Sequence, residues 1–283
     1  MISKLLPNAA GLLGSTHPIP SFSVSGFSIL LALGYAPAID TLVVVGLSVL
    51  AQQFSVGLSN DWLDYWRDSQ VGRKDKPTAR GQVSVKLVRN ASLVSGVIAF
   101  ALASSVGWAA ALMMVAMLVV GWSYNLGLKT NQLSVLPYAV GFGILPIYVT
   151  LTINPAQMPP WWVVVAASLL GVSAHFANAL PDLFDDKETG VRALPHVLGQ
   201  KVSALVIASA AGFASLLVLT QSTKLNPAIA TSGLVLSVGL ALTASLLALR
   251  PRPPRVIFHL LIAATFVNVV LLLISQSSTF SNT

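Results

Sequence analysis

Residues 42–68 read LVVVGLSVLAQQFSVGLSNDWLDYWRD. The first part, residues 42–58, carries no charge and does not alternate polar with apolar positions. It therefore reads as a membrane-crossing helix and not as a barrel strand. The second part, Asn60-Asp61-Trp62-Leu63-Asp64-Tyr65-Trp66-Arg67-Asp68, closes that run and opens a basic loop. Asn60, Asp64 and Asp68 stand four residues apart, which on a helix stacks them along one slowly drifting face. Asn178, Asp182 and Asp186 repeat the pattern at the end of another apolar run, and Gly72 and Gly190 extend both copies. Asn-x3-Asp-x3-Asp-x3-Gly thus occurs twice, 118 residues apart, and the two copies hold seven of the nine acidic residues.

The rest of the composition agrees with the apolar run. Of 283 residues, 55% are hydrophobic and 9% charged, with a mean hydropathy of +0.78. A soluble domain carries roughly 25% charged residues. The chain is therefore expected to be an all-α polytopic membrane protein, a bundle around a central lipid-accessible cavity, since only helices and closed barrels satisfy their backbone in lipid. The absence of cysteine excludes disulfides, thiol nucleophiles and thiolate metal sites. The net charge of +7 marks cytoplasmic loops in such a protein and does not call for nucleic acid. A single Lys4 and a proline-containing stretch precede the first apolar run, which is not a cleaved-signal pattern, so that run is expected to be retained.

Nine segments are long and apolar enough to span, near residues 20–36, 39–62, 86–106, 108–125, 133–152, 161–182, 201–221, 227–249 and 255–276. Pro146 and the nearby Gly141 and Gly143 predict a bend in the fifth. With the N-terminus inside, the inner loops collect fifteen of the sixteen basic residues, and only Lys224 falls outside. Both Asn/Asp copies then face the cytoplasm. The chain reads as one transmembrane domain over residues 1–283, in two pseudo-repeated halves with motifs at 60–68 and 178–186.

Acidic groups at a membrane-embedded helix end are costly, which marks them as functional. Oxygen-bearing side chains on one face suit a hard cation, and Mg2+ combines carboxylates with water and phosphate oxygens. Two such faces at one depth would hold two ions around a diphosphate, with Arg73 and the other cations of the following loop meeting the remaining phosphate charge. Asp61 and Asp185 lie about 100° off the stripe; Asp61 reads as supporting, and Asp185 stays open. Lys74 and Lys86 read as topology determinants. His175 and His196, near the second motif, read as hydrogen-bonded structural residues sooner than as bases. The tryptophans cluster at segment ends as an interfacial belt, although Trp62, Tyr65 and Phe176 could also face a carbocation.

These motifs resemble the UbiA superfamily of intramembrane prenyltransferases, whose members carry NDxxDxxxD after the second helix and DxxxD after the sixth. Lys76-Pro77, Gly81 and Ser84 are similar to the family's basic segment, and Tyr124, Asn125 and Lys129 to its stretch between helices four and five. The resemblance covers essentially the whole chain. It implies that Asn60, Asp64, Asp68, Asn178, Asp182 and Asp186 hold two Mg2+ ions on an isoprenyl diphosphate. Asp64, Asp68, Asp182 and Asp186 would be the catalytic acids. Arg73, Lys76 and Lys129 would grip the diphosphate, and Tyr124 and Tyr148 would line the substrate site. The allylic C–O bond would break, and an acceptor would capture the cation.

The acceptor is less legible. Family members that use 4-hydroxybenzoate bind its carboxylate with cations on the early helices, but residues 5–66 contain no Lys or Arg, and only His17 is near. An unpaired buried carboxylate is expensive, which favours a hydrophobic, lipid or quinone-type acceptor. The same motifs occur in terpene synthases of the superfamily that cyclise their own diphosphate. A transporter is a third reading, disfavoured because the acids sit at helix ends.

Overall fold

Each long apolar run folds into a helix. The computed structural model describes residues 2–183, 192–222 and 225–280, and no strand occurs among them. Short helix α1 (Ile2–Ser15) and α2 (Pro18–Leu33) precede α3 (Ile39–Leu63), which carries the first motif into the six-residue α4 (Tyr65–Gln70). Next come α5 (Val85–Ser104), α6 (Trp108–Leu126), α7 (Leu136–Leu151) and α8 (Trp161–Ala179). The last three are α9 (Leu194–Gln221), α10 (Pro227–Ala248) and α11 (Val256–Phe280).

Among the described residues, eight helices are long and apolar enough to cross a membrane. The first of the nine expected segments is the one left short. It folds as α2, whose 16 residues rise about 24 Å, against a hydrocarbon core of about 30 Å. The seventh segment begins earlier than expected: α9 starts at Leu194 and is broken at Gly199, where φ is 76° and only glycine sits without strain. Helix α1 was not expected from its proline-containing sequence, and its 14 residues are too few to span.

The helices close into a ring. α3 packs on α2 and α5, α6 joins α5 to α7, α8 lies between α7 and α9, and α10 and α11 return the chain to α2 and α8. Lipid offers no hydrophobic drive between helices, so small residues and polar clamps hold the contacts. A Cβ on Gly171 would stand 2.5 Å from the carbonyl oxygen of Tyr138, so α8 touches the backbone of α7 only because that side chain is missing. In the last three helices Asn268 Nδ2 donates to Ser215 Oγ (3.1 Å) and Ser237 Oγ (2.8 Å), tying α9, α10 and α11 together. A cavity of about 710 Å3 lies between α2, α10 and α11, lined by Phe22, Phe27, Leu236, His259 and Phe266 among others; none of the described motif residues lines it.

Candidate active site

The first motif keeps its helical register through the break between α3 and α4. Asp64 N bonds to Asn60 O at 3.0 Å and Asp68 N to Asp64 O at 2.9 Å, so the four-residue spacing stacks the side chains as the sequence requires. Lys129, in the turn Leu128–Thr130 after α6, places its Nζ 2.6 Å from both oxygens of Asp64, and Arg67 Nη2 adds a contact at 3.2 Å. Asp68 is 1% exposed and meets Arg67 Nε at 3.7 Å; its Oδ2 has no hydrogen-bond partner among the described residues. Burial holds this carboxyl above the usual range, and the charge of Lys76 offsets that only in part.

Asp61 points away from the stripe, as its offset demands. It is 1% exposed, accepts from Lys76 Nζ at 2.7 Å and lies 3.1 Å from His17 Nε2. Close approach of the α1–α2 turn makes this possible: a Cβ on Gly57 would stand 2.7 Å from Thr16 O. Lys76 Nζ also donates to Asn60 Oδ1 at 2.9 Å. Asn60 Nδ2 in turn donates to Asn125 Oδ1 at 3.1 Å, and Asn125 Nδ2 donates to Val56 O and Ser59 Oγ. Lys76, expected on the diphosphate, stands here in a buried strut between α3 and the basic loop. Asn60 keeps one lone pair of its amide oxygen for a cation, the other being taken by Lys76.

The second motif loses its α-helical register. α8 ends at Ala179 and a 3-10 turn, Leu180–Asp182, follows with Pro181 inside it. Asp186, and with it Asp185 and Gly190, lies outside the described residues. Asn178 Nδ2 donates to Tyr138 Oη at 3.4 Å, and Tyr138 packs edge-on against Tyr124 with ring centroids 5.3 Å apart. Asp182 stands 3.5 Å from Arg73 Nη2 and 3.8 Å from Arg255 Nη2. Arg73 is anchored twice, by its backbone N on Asp68 O (3.0 Å) and by its fork on Asp75 (2.9 Å to each oxygen). Asp68, Arg73 and Asp182 therefore form one continuous contact between the two motifs. The mutual hydrogen bonds raise Arg73 above, and hold Asp75 below, their ordinary ranges.

Other expected residues fall elsewhere. Tyr148 is fully buried with its hydroxyl 2.5 Å from Ser48 Oγ, so it makes a helix–helix contact and not an open wall. His175 is buried, its Nε2 3.0 Å from Ser134 Oγ, which also accepts from Leu194 N. That tie fits the structural reading of His175. Trp62 packs edge-on against Trp122, and Phe176 is buried beside His175. Trp66, Trp108 and Trp161 are well exposed at helix ends, as an interfacial belt requires. Tyr138, Asp75 and Arg255 were not singled out from the sequence as site residues. No local pattern marks them, because only the ring of helices brings residues 73–75, 138, 178–182 and 255 together.

The donors fit Mg2+. Among the described residues no three carboxylate or imidazole groups meet at one point. Mg2+ needs fewer, since one or two carboxylates with water and substrate phosphate complete its octahedron. The buried, unpartnered Oδ2 of Asp68 and the short contacts from Lys129 to Asp64 mark a place that requires positive charge. Asp64 and Asp68, with Asn60, would hold one ion, and Asp182 with Asn178 would contribute to a second.

The model of the UbiA prenyltransferase family matches residues 21–276. The digeranylgeranylglyceryl phosphate synthase of Thermococcus sibiricus is 25% identical over 83% of this chain and 81% of its own. The bacteriochlorophyll synthase 33 kDa chain of Cereibacter sphaeroides is 27% identical over 63% and 62%. Among solved structures, the apo form of a UbiA homolog from Aeropyrum pernix superposes with a TM-score of 0.74 at 18% identity, covering 90% of this chain and 96% of that one. A UbiA homolog from Archaeoglobus fulgidus bound to DMAPP and Mg2+ gives 0.65 at 16% identity, covering 92% and 99%. A whole-length ring of helices, two acid motifs joined through Arg73 and a family match over nearly all of the sequence agree: this chain belongs to the UbiA prenyltransferase family.

Proposed function

We propose that this prenyltransferase ionises an isoprenyl diphosphate with the help of two Mg2+ ions and transfers the prenyl group to a hydrophobic, lipid- or quinone-type acceptor. The observation that carries the proposal is the junction of the two motifs, Asp68–Arg73–Asp182, beside an undercompensated Asp68. The two halves of the chain each supply one motif to a single site. The ions, when bound, act as Lewis acids that neutralise the leaving diphosphate. Arg73 and Lys129 bind its remaining charge. Breaking the allylic C–O bond leaves the electron pair on pyrophosphate. The acceptor forms the new bond to the allylic carbon and gives up its proton.

Residues 5–66 contain no Lys or Arg, and His17 already faces Asp61 and Lys76, which disfavours a small aromatic acid. The Thermococcus relative, a digeranylgeranylglyceryl phosphate synthase, supports a lipid acceptor. The distribution of basic residues supports a cytoplasmic N-terminus and active site. Geranylgeranyl diphosphate incubated with purified protein and Mg2+, with and without membrane lipid extract, tests the proposal. Pyrophosphate release that depends on the extract is the expected result. A cyclic hydrocarbon or terpene alcohol formed without extract assigns cyclisation instead, and no release under either condition overturns the proposed pairing of this diphosphate with a membrane-lipid acceptor.

A further inference from the structure

We propose that Arg255, delivered by the loop between α10 and α11, is a further diphosphate-binding residue of this site. The inference rests on the reading of the site as a prenyl diphosphate site. Arg73 and Arg255 face the same two carboxylates, Asp75 and Asp182, in a closed square of alternating charge. The two arginines are not equivalent. Arg73 has a side chain only 20% exposed, a two-pronged grip on Asp75 and a backbone anchor on Asp68. The Arg255 side chain is 63% exposed and holds Asp75 by one hydrogen bond of 3.1 Å, with Asp182 at 3.8 Å.

A guanidinium carries five N–H donors in a planar fork, and among the described residues Arg255 commits one of them to a hydrogen bond. Asp182 is the acid expected to turn toward a cation when the site is loaded. That change removes a partner from each arginine and brings in an anion with several acceptor oxygens. Arg73 stays fixed by Asp75 and Asp68. Arg255 is the group with both the freedom and the unspent donors to swing onto phosphate oxygen, where charge-assisted, forked hydrogen bonds are strongest. Asp75, which belongs to neither motif, then has a role: it parks Arg255 at the edge of the site.

The test titrates inorganic pyrophosphate with Mg2+ into detergent-purified wild type, Arg255→Gln and Arg255→Lys proteins, with steady-state kinetics on geranylgeranyl diphosphate alongside. Arg255→Gln is expected to weaken pyrophosphate binding about tenfold and to raise KM for the diphosphate by a similar factor. Arg255→Lys is expected to recover much of the affinity, because it restores the charge. Equal affinity of Arg255→Gln and wild type overturns the inference. So does an Arg255→Lys affinity no better than that of Arg255→Gln, since the inference rests on the charge of Arg255 reaching phosphate. Absence of pyrophosphate binding by the wild type defeats the reading of the site itself, a result distinct from these.

Discussion

Replacing Lys76 with Met keeps the apolar stem and removes the ammonium that stands 2.7 Å from Asp61. Asp61 is 1% exposed and would keep only His17, at 3.1 Å, as a cationic neighbour. Removing one partner of a buried ion pair costs about 3–5 kcal/mol, because the other charge is left uncompensated in a poorly polarisable place. His17 still stands beside Asp61 as a hydrogen-bond partner, so the lower end, about 3 kcal/mol, is expected for Lys76→Met. Asp61→Asn leaves Lys76 with the oxygen of Asn60 and is expected to cost a similar amount. The double variant removes both charges together. It is expected to be more stable than the sum of the single losses allows, by about 2 kcal/mol. Denaturant unfolding in detergent, followed by circular dichroism, gives the four corners of the cycle. Additive single losses, or a Lys76→Met protein as stable as wild type, would refute the argument. A stable Lys76→Met protein with weakened pyrophosphate binding would instead return Lys76 to the diphosphate, where the sequence pattern had put it.

Asp64→Ala and Asp182→Ala are each expected to abolish pyrophosphate release while the chain still inserts, and wild-type turnover in either counts against the metal assignment. Chelation of Mg2+ is expected to stop release in the wild type and to restore it on re-addition, which is checked in the same assay. Because the chain has no cysteine, single cysteines at the exposed Lys74 and Gln157 report sidedness directly. An impermeant maleimide applied to intact cells is expected to label the second and not the first. Gly171→Ala would press a methyl against the Tyr138 carbonyl at 2.5 Å, an overpacking worth about 1–3 kcal/mol. Lower thermal stability together with a raised KM for the diphosphate is expected, since the shift moves Tyr138 off Asn178.

Much of this protein is written locally. Apolar runs without charge can only be satisfied as helices in lipid, so the elements follow from composition, and the four-residue spacing of Asn60, Asp64 and Asp68 follows from helix geometry. The offset of Asp61 likewise predicts that it leaves the stripe. Other features are not local. Pro181 forces a 3-10 turn at the second motif, so the two copies match in sequence and differ in backbone. The first span is apolar enough to be recognised, yet its helix stops at Leu33.

Periodicity and charge bias thus determine by themselves that the chain is a helical membrane protein with two acid motifs, because both depend on neighbours along the sequence. Only the tertiary structure decides how the cations are shared out: Lys76 to Asp61, Lys129 to Asp64, and Arg73 with Arg255 between Asp75 and Asp182. The physical reason is that a buried charge is settled by whichever opposite charge reaches it at about 3 Å, and residues 76, 129 and 255 reach the site from three different loops. That distance is set by helices packing around Gly57 and Gly171, and the spacing of letters along the chain does not contain it.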